Sequence, residues 1–298
     1  MKYIDVKEAS AKWGITDRRI RLLCSEGRID GAIKLGWSWT IPADTPKPRD
    51  GRVLRKFKTL DIRPGTVDVD ALNRLMEKVP VNDELLESKG FRTIIRESLE
   101  TLLEADGVAV DDKDVRAILS GRVVPYVPLE THLIIINARS ILFALARNKE
   151  RWCEKDSREM YCRLLQGIDD IYSGNYRRGY AVYPSRPGEN AAIGEEMETA
   201  FMQYENSWKN YQGITAAVLL YAAMLRIQPY EEYSSLYAYM MLSGELMRNG
   251  ILPPLLDKDS GDEAKAAFSL AVKRGNYGDF THFIERKIHD SYKVMQNV

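Results

Sequence analysis

The stretch Ile214-Thr-Ala-Ala-Val-Leu-Leu-Tyr-Ala-Ala-Met-Leu-Arg-Ile227 constrains the fold more than any other part of the chain, because as a helix it has almost no polar face. A helix apolar nearly all round is stable only when other elements surround it. A loop, Gln228-Pro229-Tyr230-Glu231-Glu232-Tyr233-Ser234-Ser235, leads from it into a second apolar run, Leu236 to Met247, which Asn249-Gly250 ends. The sequence therefore predicts a buried pair of helices joined by a short polar-aromatic loop, with the remaining elements packed around it.

Those elements read as helices. Apolar spacing predicts them over 66–78, 91–105, 111–120, 130–148, 155–173, 193–209, 212–227, 235–249, 262–274 and 279–296. The clearest stripe is Ile134, Ala138, Ile141, Leu142 and Leu145, which share one helix face. One segment departs from the pattern: Ser173-Gly174-Asn175-Tyr176 turns into an aromatic run through Tyr180, Val182 and Tyr183 to Pro184, and predicts a β-hairpin. The expected class is mainly α, a small winged helix-turn-helix followed by an all-helical domain with that hairpin.

With 298 residues and 45% hydrophobic content, the chain is long enough for one large core and a small second one. No run approaches the roughly 18 apolar residues that cross a bilayer, and Met1-Lys2-Tyr3-Ile4-Asp5 lacks a signal peptide's apolar stretch. Cys24, Cys153 and Cys162 are an odd number at no metal-ligand spacing, as reduced thiols in the cytosol would be. His132, His282 and His289 are scattered, and no His-Glu-x-x-His, phosphate-binding glycine loop or Gly-x-Ser-x-Gly occurs. No metal site or membrane association is expected.

Charge separates the two ends of the chain. The totals balance at 43 and 43, yet residues 1–60 hold 14 Lys/Arg against 7 Asp/Glu, leaving 29 against 36 for the rest. A basic N-terminal segment suits a polyanion, although a solvated basic face would look the same. Within it, helical character from Val6 to Trp13 is broken by Gly14, and Thr16-Asp17 opens a second helix through Arg18, Ile20, Leu22 and Leu23 to about Glu26, before Gly27. Leu35, Trp37, Trp39 and Ile41 then recur at period 2 around Gly36, as in a two-stranded wing. Pro42, Pro46 and Pro48 among charges mark a linker, giving domains at 1–45 and 61–298 joined by 46–60.

Residues 1–45 resemble the winged helix-turn-helix of excisionase-like and MerR-like proteins. The resemblance makes Arg18, Arg19 and Arg21, in the first turns of the second helix, and Lys34, at the base of the wing, the expected DNA contacts. The alternative, a packing or dimerisation module with solvated arginines, stays open. So small a module gains useful specificity from two half-sites, so a homodimer is expected.

From about residue 60 onward the chain resembles the Fic family, whose members typically transfer AMP or another phosphate-containing group to a protein hydroxyl. Gly174-Asn175-Tyr176-Arg177 matches the Gly-x-Tyr/Phe-Arg lead into the family's target-binding hairpin, and Gly278-Asp279-Phe280-Thr281-His282-Phe283-Ile284-Glu285 resembles the opening of its last helix. The stretch from Asp106-Gly107 to Ser120-Gly121 resembles the segment after the inhibitory helix in members that carry that helix on the N-terminal side. Where the family's signature reads His-Pro-Phe-x-Asp/Glu-Gly-Asn-Gly-Arg-x-x-Arg, this chain has Gln228-Pro229-Tyr230-Glu231-Glu232-Tyr233-Ser234-Ser235-Leu236-Tyr237-Ala238-Tyr239.

The resemblance implies lost chemistry. Gln228 has no basic nitrogen to take the proton from the attacking hydroxyl, and general-base catalysis contributes roughly 10²–10⁴-fold. Tyr233, Ser234, Ser235 and Leu236 replace the phosphate-cradling turn and its arginine, and such contacts carry about 2.7–4 kcal/mol each. The inhibitory Ser/Thr-x-x-x-Glu-Gly becomes Leu102-x-x-x-Asp106-Gly107, and its arginine partner becomes Tyr239. Glu232 matches the metal-holding acidic position, but one carboxylate is a poor Mg²⁺ site without phosphates. Tyr230, Tyr233, Tyr237 and Tyr239 either line a remodelled pocket or belong to the core.

The expectation is a catalytically inactive Fic-like regulator or scaffold with a DNA-binding module, no cofactor, and a protein partner gripped by strand addition along Tyr176, Arg177, Tyr180 and Val182. The alternative is a nucleotidyl- or phosphotransferase that uses ATP and Mg²⁺, with Glu231 or Glu232 as a burial-tuned base.

Overall fold

A computed structural model describes residues 3–25, 29, 31–35, 38–43, 45, 63–169, 174–183 and 191–297. The chain divides into two compact units, Met1–Lys58 and Thr59–Val298. The linker expected at 46–60, and the turns expected at Gly27 and at Gly36-Trp37, lie outside the described residues.

In the first unit, β1 (Tyr3–Asp5) runs into α1 (Val6–Trp13) through a capping box. Asp5 Oδ1 accepts the Glu8 N–H at 2.8 Å, and Glu8 Oε2 accepts that of Asp5 at 3.0 Å. Gly14 ends α1 at φ 63°, a conformation that glycine adopts without a Cβ penalty. The Thr16 hydroxyl accepts the Arg19 N–H at the start of α2 (Asp17–Ser25). Strands β2 (Ile33–Leu35) and β3 (Ser38–Pro42) are antiparallel, and β1 completes a sheet in the order β1-β3-β2 with Ile4 opposite Ile41. Strand β1 is too short to show as a periodic pattern in the sequence. Val6, Ala9, Trp13, Ile20, Leu23, Cys24, Ile29 and Ile41 form a core of their own.

The second unit contains α3 (Val69–Lys78), α4 (Asp83–Glu87), α5 (Lys89–Ala105), α6 (Asp112–Leu119), α7 (Leu129–Arg147), α8 (Glu154–Leu164), α9 (Ile193–Asn206), α10 (Gly213–Ile227), α11 (Ser234–Arg248), α12 (Ser260–Arg274) and α13 (Gly278–Gln296). A short parallel pair, β4 (Arg63–Pro64) with β5 (Asn276–Tyr277), ties its start to the beginning of α13. As the sequence requires, α10 and α11 are buried around their circumference and pack on each other, with α7, α9 and α13 against them. Burying each large aliphatic or aromatic side chain there is favourable by about 1.5–3 kcal/mol.

Three expectations need correction. The helix expected over 155–173 stops at Leu164, where Gly167 turns at φ 79° and the Asn137 amide donates to the Leu164 and Gln166 carbonyls, drawing the chain off the helix path. Contrary to the expectation that no run approaches a membrane span, α7 is long and apolar enough by length and composition. Half of that stretch is buried in the core, and Ile134, Ala138, Ile141, Leu142 and Leu145 form its inner face. Of the expected β-hairpin, whose ends Ser173 and Pro184 lie outside the described residues, the described part shows one antiparallel bridge, between Tyr180 and Ala192, with the Ala181 N–H on the Ala191 carbonyl. The N–H groups of Arg177 and Tyr183 donate instead to the carbonyls of Pro229 and Arg226, so the segment is laid along the end of α10.

Candidate functional site

The loop between α10 and α11 is bracketed by two non-glycine residues in the left-handed region, Gln228 at φ 47° and Tyr233 at φ 53°. Such residues cost about 1–3 kcal/mol each and persist only where surroundings impose them. Here the surroundings are specific. Arg177 Nε donates to the Gln228 carbonyl at 2.7 Å, and its Nη2 reaches the Tyr180 and Ile227 carbonyls, placing a cation at the C-terminus of α10. Tyr161 stacks on Tyr230 with ring centroids 3.5 Å apart and donates its hydroxyl to the Glu232 carbonyl. The Tyr233 hydroxyl donates to Glu130 at 2.5 Å, and that of Ser234 to the Tyr230 carbonyl.

The first N–H groups of α11 have a ligand from within the chain. The Asp106 carboxylate, at the C-terminal end of α5, accepts the Ser235 N–H at 2.9 Å through Oδ1 and the Leu236 N–H at 3.0 Å through Oδ2. Unpaired N–H groups at a helix N-terminus make an anion site, and this anion is supplied from 129 residues earlier in the chain. Burial holds the Asp106 carboxyl above its ordinary range, outweighing the opposing effect of the two N–H bonds.

Of the signature positions, Gln228, Glu231 and Glu232 are exposed, Pro229, Tyr230 and Leu236 are buried, and Ser234 and Ser235 are half-buried. Tyr230, Tyr233, Tyr237 and Tyr239 are all buried, which decides for the core. Tyr230 and Tyr237 meet edge to face at 4.9 Å. Tyr239 donates to the Pro254 carbonyl at 3.0 Å, where the resemblance placed an arginine reaching for the inhibitory carboxylate. Glu231 and Glu232 lack the burial that the altered-chemistry reading requires. Among the described residues, no three His, Cys, Asp or Glu side chains gather as a metal site would need. His132 accepts the Val124 N–H at Nε2 and bonds the Pro128 carbonyl through Nδ1, a structural role.

The four hairpin residues divide. Tyr176 turns inward and donates to Glu154 at 2.9 Å, and Arg177 is engaged by α10, whereas Tyr180 and Val182 are exposed. In the first unit Arg18, Arg21 and Lys34 are exposed, Arg19 is half-buried, and Arg21 lies 4.0 Å from Asp17.

A buried helical pair whose connecting loop is clasped by the surrounding elements defines a mainly α domain, and the sequence resemblance points to the Fic type. The solved structures agree. Fic-1 (residues 134–508) from C. elegans superposes with a TM-score of 0.60 at 18% identity, covering 77% of this chain and 70% of that one. A Fic family protein from Desulfovibrio desulfuricans G20 gives 0.56 at 16% identity, covering 79% and 76%. A Fic domain containing signaling protein from Bacteroides thetaiotaomicron VPI-5482 gives 0.60 at 14% identity, covering 78% and 97%. No protein-family model and no curated protein matches the sequence. The chain therefore has the Fic-domain fold.

The sequence marks Asp106 only as an altered inhibitory position. Its role as cap of α11 is not legible there, since nothing in the residues alone joins positions so far apart.

Proposed function

We propose that this protein is a catalytically silent Fic-fold protein, coupled to a DNA-binding N-terminal unit, that acts as a regulator or binding scaffold. One observation carries the reading. The helix N-terminus that falls within the degenerate signature is capped by Asp106, with no side-chain cation on the loop to hold a second anion there. A phosphate arriving at α11 meets a carboxylate already in place, and no imidazole stands at Gln228 to activate a hydroxyl. Exposed Tyr180 and Val182 offer an edge for a protein partner. In the first unit, Arg18, Arg19, Arg21 and Lys34 supply the phosphate contacts of a winged helix-turn-helix, with a homodimer reading two half-sites. The three thiols are unpaired, which accords with a cytosolic protein.

The test is calorimetry and thermal shift with ATP and other nucleotides, with and without Mg²⁺, alongside titration of labelled duplex DNA at low salt. No nucleotide binding up to ~1 mM, with duplex binding that weakens steeply as salt rises, is the expected result. Micromolar nucleotide binding lost in Glu232→Ala would overturn the silent reading. Failure to bind any duplex would remove the DNA half.

A further inference from the structure

A cavity of 390 Å³ opens between α5 and α7 at the end of α6, lined by Arg92, Ile95, Leu119, Arg139, Ser140 and Phe143. None of these residues belongs to the α10–α11 loop. Its volume falls in the range of small-molecule sites, roughly 300–1,000 Å³. Part of the lining is apolar: Ile95 is buried, and Phe143 is held edge-on against Phe91 at 5.7 Å between centroids.

The lining also carries two cations without a counter-charge. Arg139 Nη1 donates to the Leu119 carbonyl at 2.9 Å, which fixes the guanidinium in place and leaves its remaining N–H groups without a partner among the described residues. The Arg92 side chain has no hydrogen-bond or ion-pair partner among the described residues. Their neighbours differ in this respect. Arg96 pairs with Asp112 at 2.6 Å and with Glu97 at 2.9 Å, and Arg116 pairs with Asp112 as well. Asp112 and Glu97 are thus engaged by other arginines, the cleft lining holds no acid, and the positive charge on Arg92 and Arg139 stays available at an apolar cleft.

We propose that this cleft binds a small organic anion, a carboxylate or phosphate monoester carried on an aromatic body. The planar guanidinium groups match the oxygens of either headgroup, and Phe143 with Ile95 receives the ring. Cationic donors above an apolar floor distinguish such a ligand both from a neutral aromatic and from a bare inorganic anion.

The experiment is calorimetric titration of the full chain with naphthoate, naphthyl phosphate, neutral naphthamide and inorganic phosphate, repeated on R92Q and R139Q. Arg92 is exposed and unpaired, so R92Q leaves the melting temperature unchanged and reports on binding alone. The expected result is that at least one naphthyl anion binds, naphthamide and inorganic phosphate bind at least ~10-fold more weakly, and R92Q loses about 10-fold in affinity. The stronger of the two anions identifies the headgroup. Absence of binding by either anion, equal binding of naphthamide or inorganic phosphate, or full affinity in both variants overturns the proposal.

Discussion

The Asp106 carboxylate accepts the backbone N–H of Ser235 at 2.9 Å and, with its other oxygen, caps α11 from the far end of α5. It fills the helix N-terminus with an anion from within the chain. Asp106→Ala removes the cap and leaves two N–H groups short of a partner, at a cost of about 1–3 kcal/mol. In the variant, added inorganic phosphate should recover part of that loss. Denaturant titrations with and without phosphate check this, and equal phosphate effects on both proteins would refute it.

The same carboxylate sets a pH dependence. Because its folded pKa is raised, the folded chain holds the proton more tightly than the unfolded one. Its contribution to stability is fully present below the ordinary carboxyl value, about 3.9, and is lost as pH rises through the raised folded value. Relative to Asp106→Asn, the wild-type protein should therefore lose stability from about pH 4 toward neutrality. Denaturant midpoints of both proteins across that range measure it, and a difference moving the other way contradicts the assignment.

On the catalytically silent reading, supplying a base at Gln228 should not produce transfer activity. Gln228→His supplies an imidazole at an exposed position, but Asp106 still caps α11 and Leu236 adds no cation beside it. Transfer of label from nucleotide to protein should stay at background. Activity within ~10²-fold of an active Fic enzyme would show that the phosphate site is intact.

Glu245 is a second test of the core. It is buried, accepts the Tyr204 hydroxyl at 2.5 Å, and accepts two bonds from Arg248 at 2.6 and 3.0 Å. Glu245→Ala strands both partners and should cost about 3–5 kcal/mol, whereas Tyr204→Phe, which removes one donor, should cost about 1–3 kcal/mol. Comparable losses in thermal or urea unfolding would contradict this ranking.

Gly244 lies within α11 facing Trp152, and a Cβ there would come 2.7 Å from the indole Cζ2. Gly244→Ala normally gains helix propensity of about 0.8–1.0 kcal/mol, yet here overpacking of about 1–3 kcal/mol should win. Net destabilisation, with altered Trp152 fluorescence, is the expected result.

The fold was legible where burial and periodicity act locally. Helices α10, α11 and the inner face of α7 could be read directly, because an apolar helix has to be enclosed and a stripe at helical spacing has to face inward. The capping box at Asp5 and Glu8 has a similarly local cause. Less could be read where long-range hydrogen bonds compete with local preference. The aromatic alternation at 176–183 suits a strand, but the N–H groups of Arg177 and Tyr183 find partners at Pro229 and Arg226, and only that of Ala181 pairs in strand fashion, with Ala191. The end of α8 depends on Asn137, from another helix.

The sequence by itself determined the buried helical pair, the basic character of the N-terminal segment and a connecting loop, Gln228 to Leu236, that carries neither an imidazole nor a cation. These are matters of residue type, which folding cannot alter. Only the tertiary structure decided what surrounds that loop: Asp106 on the N–H groups of α11, Tyr161 stacked on Tyr230, and Tyr239 donating to Pro254. Only it brought Arg92 and Arg139 to one cleft. Such pairings join residues distant in sequence, and their partners are set by how helices pack, which no local pattern of side chains encodes.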